Sequence, residues 1–269
     1  MTLLPTRMVD KPWGRDTLPP PFEAPAGRRI GEVWFEPPEA VTELLVKYIF
    51  TSEKLSVQVH PSDPQTIAAG LGRQGKEECW LVVAADAGAA LGIGFDAGIG
   101  PDALRAAAMD GSIEQLLTWH PVRPGDFFYI PANTVHAIGG GVSLIEVQQN
   151  SDITYRLYDY GRPRALHLEE SLRVARGAPY PDALHRHVAP RGEVALVEGP
   201  HFRLTRYDGP LSDAAQARFG EAPLLVIPLE GVTQIVGEAV PPGACALALD
   251  PGAIAIAPGA LGLIAQPLR

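Results

Sequence analysis

The side chains that could do chemistry fall in four short stretches. Ser56, Gln58 and His60 alternate in LSVQVH, so on a strand they share one face. A hydroxyl, an amide and an imidazole side by side are costly to bury unless each finds a partner, and alone they equally describe an edge strand facing water. Glu78 opens the apolar run ECWLVVAAD, where a carboxylate is either a strand-end surface residue or a ligand pointing inward. His136 follows a turn at Pro131 and precedes three glycines in IPANTVHAIGGG. In VSLIEVQQN, Leu144, Glu146, Gln148 and Asn150 share a face that is mostly polar, as the wall of a wet cavity would be. Two imidazoles and a carboxylate from three separate strands, with Gln58 as a candidate fourth ligand, suit a divalent cation with one position open for substrate.

The elements that must position these residues are short strands. The chain has 269 residues, 46% of them hydrophobic, with 28 glycines and 27 prolines spread without period. So much turn punctuation in an apolar chain disfavours a helical bundle or a disordered chain and favours a mainly β fold. Strands are expected within 41–60, at 78–86, at 126–132 and at Val142–Gln149. One or two helical turns fit 63–72. A helix is expected over 101–117, interrupted at Asp110-Gly111 and stopped by His120-Pro121, and a last helix over 167–176. Past about Gly177 the composition shifts, dividing the chain into a unit of residues 1–180, with the helical insertion near 101–120, and a second, apolar β unit of residues 181–269. A faint repeat, RPGDFFYIPA against DPGAIAIAPGA, links the two, but only the first copy leads on to a histidine.

Lys plus Arg number 22 against 31 Asp plus Glu, a formal charge of −9 with no basic block, which argues against nucleic acid or an anionic membrane as partner. Two cysteines build no disulfide framework, and the N-terminal residues lack the apolar run of a signal peptide, so a cytoplasmic location is expected. Nothing fixes an oligomeric state.

Gly125, Pro131 and His136 reproduce the Gly-x5-Pro-x4-His outline of the second cupin motif. KPWG (11–14), GEVW (31–34), LSVQVHPSD (55–63), GKEECW (75–80), IPANTVHAI (130–138) and QQNSDITYRLYDYGR (148–162) closely resemble the type I mannose-6-phosphate isomerases, most of all their short bacterial form. The resemblance runs in order from about Lys11 to Arg176; beyond it the match is only to a general cupin-like half. It implies two cupin-like β-barrel (jelly-roll) units, the second degenerate, and a zinc-dependent aldose–ketose isomerase acting on mannose 6-phosphate and fructose 6-phosphate. It implies zinc ligands Gln58, His60, Glu78 and His136, an active-site Arg156, and pocket lysines Lys47 and Lys76. Glu77 replaces the usual Thr or Ser of the second motif, and Ile138 stands where many relatives carry an aromatic.

Such an isomerisation removes a proton alpha to a carbonyl and returns it to the neighbouring carbon through an enediolate. Glu146 is the first candidate for the base and Asp152 the second, while Arg156 would grip the phosphate or neutralise the enediolate, and Lys47 or Lys76 with Ser56 would complete the phosphate clamp. For Arg156 the plain alternative is an ion pair with Asp152. An iron cupin oxygenase and a non-catalytic sugar-binding or regulatory cupin are the competing functions. Trp13, Trp34 and Trp80 read as core packing, Cys79 as a buried hydrophobe, and His120, His167, His185, His187 and His201 as surface or cap residues.

Overall fold

The structure is a computed structural model that describes residues 2–268. Strands dominate and assemble into a seven-, a six-, a five- and a three-stranded sheet. They stack as layers because each strand alternates its side chains between two destinations. On Leu44–Phe50, residues Leu44, Val46, Tyr48 and Phe50 enter one apolar core, whereas Ile49 enters another. On Glu78–Ala85, Cys79 and Leu81 join the first core, and Trp80 and Val82 the second.

The seven-stranded sheet therefore has two buried faces. One packs on the five-stranded sheet, with Trp80, Phe128, Leu91 and Ile93 between them. The other packs on the six-stranded sheet of the C-terminal unit through Tyr48, Phe50, Phe202, Leu204 and Leu263. The three-stranded sheet covers the far side of that unit over Tyr207, Val226, Ile235 and Ile264. Helices Pro101–Asp110 and Leu168–Val174 cover the outside of the five-stranded sheet. Double burial explains why Val142–Gln149 is buried at every residue although one of its faces is polar.

The mainly β, jelly-roll-like architecture is as expected, with one correction. Among the described residues no sheet closes into a barrel: the sheets stay separate, held apart by the bulky side chains between them. The helix over 101–117 divides at Gly111, whose φ of 84° is the left-handed turn glycine tolerates, into Pro101–Asp110 and Ile113–Leu116. Leu117–Pro121 is then a strand paired with Ala90–Phe95. Composition hides the latter, because it carries glycines; at Gly94 (φ 67°) an added Cβ would lie 2.6 Å from the backbone nitrogen of Tyr180. Strand pairing crosses position 180 in both directions: His185–His187 pairs with Asp126–Ile130, and Thr2–Leu3 with Ala246–Ala248. Among the described residues no helix is long and apolar enough to cross a membrane.

The triple-glycine turn after His136 is fastened from inside. Buried Thr51 donates its hydroxyl to the Gly139 carbonyl (2.7 Å) and accepts from the Val142 N–H (2.9 Å). Replacing the hydroxyl by a methyl in Thr51→Val keeps the volume and orphans both groups, so urea unfolding should show a loss of about 1–3 kcal/mol at unchanged m-value.

Candidate metal centre

The four candidate ligands meet between the five- and seven-stranded sheets. Gln58 lies on the Val57–Val59 strand, flanked by Ser56 and His60 on the same inward face, while Val57 and Val59 point out to the helices. His136 is the cross-strand partner of Gln58. Glu78 begins the facing strand Glu78–Ala85. His60, Glu78 and His136 are each almost wholly buried, and one ligand atom from each lies within 4.8 Å of the others.

Backbone carbonyls aim both imidazoles. His60 Nδ1 lies 2.9 Å from the Ile153 oxygen and His136 Nδ1 2.9 Å from the Thr134 oxygen. A carbonyl only accepts, so each Nδ1 carries the proton and each Nε2 presents its lone pair inward, as a metal ligand must. The Nε2 atoms lie 3.7 and 3.5 Å from the two oxygens of Glu78. Burial, and next the Lys76 charge, push both imidazoles down, His136 to about 4, so they stay neutral at ordinary pH.

One cation already serves this donor set. The Lys76 ammonium hydrogen-bonds Glu78 Oε2 and lies 3.0 Å from His60 Nε2. Burial alone would lower its pKa, but the charges of Glu78 and Glu146 outweigh it and raise it. Glu78 Oε1 has no hydrogen-bond partner, though fully buried. An orphaned carboxylate oxygen between two inward-facing imidazoles is costly in a protein interior, and it fits a divalent cation. Gln58 Nε2 lies 3.2 Å from His136 Nε2 and its Oε1 accepts from the Ser56 hydroxyl (3.3 Å), so its amide reaches the same spot.

From Glu78 the inner face of the seven-stranded sheet continues as a ladder of alternating charge. Trp80 Nε1 donates to Glu146 (3.0 Å), which pairs with Lys47 (3.0 Å). Lys47 sits over the Trp34 ring, 4.5 Å from its centroid. Trp34 Nε1 donates to Glu32 (2.7 Å), and Glu32 pairs with Lys11 (3.2 Å). Antiparallel register sets these neighbours, with Lys47 opposite both Glu146 and Trp34, and Glu146 opposite Trp80.

The expected roles change accordingly. Lys47 and Lys76 are buried and committed to carboxylates rather than free to grip a phosphate. Glu146 is a fixed anion: burial pulls its pKa up, but Lys47, Lys76 and the hydrogen bonds from Lys47 and Trp80 hold it well below the usual carboxylate range. Asp152 is exposed on the wall of the same cavity, with no hydrogen bond or ion pair among the described residues. The ion pair between Arg156 and Asp152 is not formed, and buried Arg156 Nε has no partner. This cavity, of about 150 Å³, is also lined by Ser56, Lys76, Trp13, Thr154 and Arg164, the last held by Asp159 at 2.6 Å. A larger one, of about 460 Å³, opens between the back of the seven-stranded sheet and the C-terminal unit, has mainly proline and apolar walls, and includes none of the candidate ligands.

The sequence alone leaves Lys11 and Glu32 without a role and reads Trp34 as core packing, whereas Trp34 is half-buried between Lys47 and Glu32; the alternation of Glu32 and Trp34 with apolar Val33 is the available signal. Trp80 is core packing and also a hydrogen-bond donor to Glu146. His167 occupies the N-cap position of Leu168–Val174 without a side-chain cap hydrogen bond, and half-buried His185 stacks on Phe128 with ring centroids 4.1 Å apart.

No protein-family model matches the chain. It is 38% identical to a mannose-6-phosphate isomerase of Streptococcus mutans over 204 residues, which is 73% of this chain and 63% of the relative, so it spans less than two thirds of that protein's length. It is 31% identical over 222 residues to YvyI of Bacillus subtilis, provisionally named a mannose-6-phosphate isomerase, covering 76% of this chain and 69% of that one. In structure it is similar to the mannose 6-phosphate isomerase from Bacillus subtilis with a TM-score of 0.79, 98% of both chains covered and 23% sequence identity, a likeness of fold.

Elemental analysis of purified protein should find one divalent metal per chain, and His136→Ala, which removes one of three buried ligands, should lose it. Added metal should raise the unfolding temperature of the wild type only, since just the liganded fold gains binding energy. Separately, Glu146→Gln leaves the Lys47 ammonium buried without its counter-ion and should cost about 3–5 kcal/mol in denaturant unfolding.

Proposed function

We propose that this chain, which belongs to the mannose-6-phosphate isomerase family, interconverts mannose 6-phosphate and fructose 6-phosphate with a zinc ion held by His60, Glu78 and His136 and with Gln58 as fourth ligand. The observation that carries this reading is the buried His–Glu–His group, with its orphaned carboxylate oxygen, beside a cavity lined by Arg156 and Asp152. Bound there, the metal supplies a fixed positive charge beside the sugar oxygens on which charge develops.

The chain's own residues do the rest. In the aldose-to-ketose direction a proton leaves C2, the oxygen on C1 gains one and the oxygen on C2 loses one. The resulting enediolate then takes a proton at C1. A base must be free to accept and return that proton. Asp152 meets this condition better than Glu146, whose oxygens already hold Lys47 and Trp80. Glu146 instead orders Lys47, and through it the ladder that stiffens the cavity wall. Arg156, with an unpartnered guanidinium nitrogen, is suited to the phosphate dianion or the enediolate. Ser56 holds the Gln58 amide in place.

In this reading residues 1–180 form the catalytic unit, residues 181–269 the second, non-catalytic one, and a cytoplasmic location suits the sugar-phosphate substrate. An iron oxygenase and a non-catalytic cupin are not favoured, because the relatives are named as isomerases.

An assay coupled to fructose 6-phosphate should detect turnover of mannose 6-phosphate; no turnover by metal-loaded protein would exclude the reading. Asp152→Asn should lower kcat by about 10²–10⁴ with little change in unfolding midpoint. Glu146→Gln losing more activity than Asp152→Asn, at a temperature where both are folded, would return the base to Glu146.

A further inference from the structure

The apolar C-terminal unit reaches the metal-bearing segment with one polar side chain. His201 lies between the strands Val194–Glu198 and Phe202–Asp208, its backbone carbonyl accepting from the Leu268 N–H (2.8 Å). Its ring faces residues 63, 77 and 149 of the first unit. His201 Nδ1 is 3.3 Å from Gln149 Nε2 and 3.7 Å from Asp63 Oδ2, and its Nε2 is 3.6 Å from Glu77 Oε1. The Gln149 nitrogen is a donor, so Nδ1 accepts and the Nε2 proton faces Glu77.

The atoms His201 touches hold residues 75–78 in place. Gln149 is buried and fully used: its Oε1 accepts from the Glu77 N–H (2.9 Å), and its Nε2 donates to Asp63 Oδ1 (2.9 Å) as well as facing His201. Asp63 Oδ1 also accepts from the Gly75 N–H (2.7 Å). The second Glu77 oxygen accepts from the Tyr129 hydroxyl. Gly75 itself admits no side chain, since a Cβ would meet the Pro61 oxygen at 2.3 Å. The clamped segment carries Lys76 and Glu78 inward and Glu77 outward, as strand alternation requires.

We propose that His201 is a positioning residue for the metal centre: through Gln149 and Glu77 the second unit fixes the 75–78 segment so that Glu78 meets His60 and His136. This rests on the metal reading of that group. It gives the C-terminal unit a part in the site without placing any of its residues in the cavity.

The test titrates cobalt(II), as a spectroscopic probe, into metal-stripped full-length protein against a chelating dye, with amide exchange measured by mass spectrometry. His201→Ala should weaken cobalt binding about 10- to 100-fold, as loss of a group supporting a metal ligand does. It should also speed exchange across residues 75–78 while leaving the strand Leu224–Glu230 protected. His201→Gln, which can still accept from Gln149 and donate to Glu77, should recover most of the affinity. Should His201→Ala fail to fold, Glu77→Gln, which keeps a partner for Tyr129 and removes the charge facing His201, must also weaken binding. Wild-type affinity and exchange in the folded variants would overturn the proposal and leave the metal reading standing; a wild type that binds no cobalt overturns both.

Discussion

Charge buried inside a β sandwich has to be matched, group by group, and the rest of this structure follows from that. Three lysines and three carboxylates, Lys11, Glu32, Lys47, Glu146, Lys76 and Glu78, share the interior face of one sheet. Any of the buried five, all but the partly exposed Lys11, would alone cost several kcal/mol to desolvate. Antiparallel register brings opposite signs together, and the indole nitrogens of Trp34 and Trp80 take up two further carboxylate oxygens. Within the ladder the pairing runs out at the Glu78 oxygen that faces the two imidazoles, a donor set that could hold a cation.

The same sheet must also join the two units. Its outer face is apolar and buried against the C-terminal sheet, which fixes the strands that present the ladder on the inner face. A one-residue slip of any of these strands would turn lysines and glutamates into the apolar interface and leucines into the cavity, so register is specified from both sides. The units also exchange strands across position 180, and a histidine from one meets an acidic residue of the other beside the metal-bearing segment. The two units are therefore continuous with one another.

Much of this is legible in the sequence because strand alternation is. Gln58, His60, Glu78 and His136 face inward, and alternation with apolar Val57, Val59, Cys79 and Ala137 is the pattern that goes with it. The helix break at Gly111 and the strand Val142–Gln149 are readable for equally local reasons. What is not legible is pairing between distant strands. Lys47 and Glu146 are 99 residues apart, and nothing in either segment says that each neutralises the other, so the lysine passes for a phosphate ligand and the glutamate for a base. Asp152, only four residues from Arg156, looks like its ion-pair partner, yet the two side chains do not meet. The His201 contact is hidden likewise, since it depends on how the units dock.

The formal charge of −9 repels an anionic substrate at long range, so attraction must come from the pocket. The ladder is neutral in itself and Arg156 is offset by Asp152 on the same wall, so a bound cation would be what tips the cavity positive. The central claim is thus that the metal held by His60, Glu78 and His136 makes an acidic protein competent for a sugar phosphate. It is tested most directly by stripping the protein with chelator, proving it metal-free by elemental analysis, and following mannose 6-phosphate turnover before and after zinc is returned. The account predicts turnover lost on stripping and restored by one equivalent of zinc; full-rate isomerisation by the metal-free protein would contradict it.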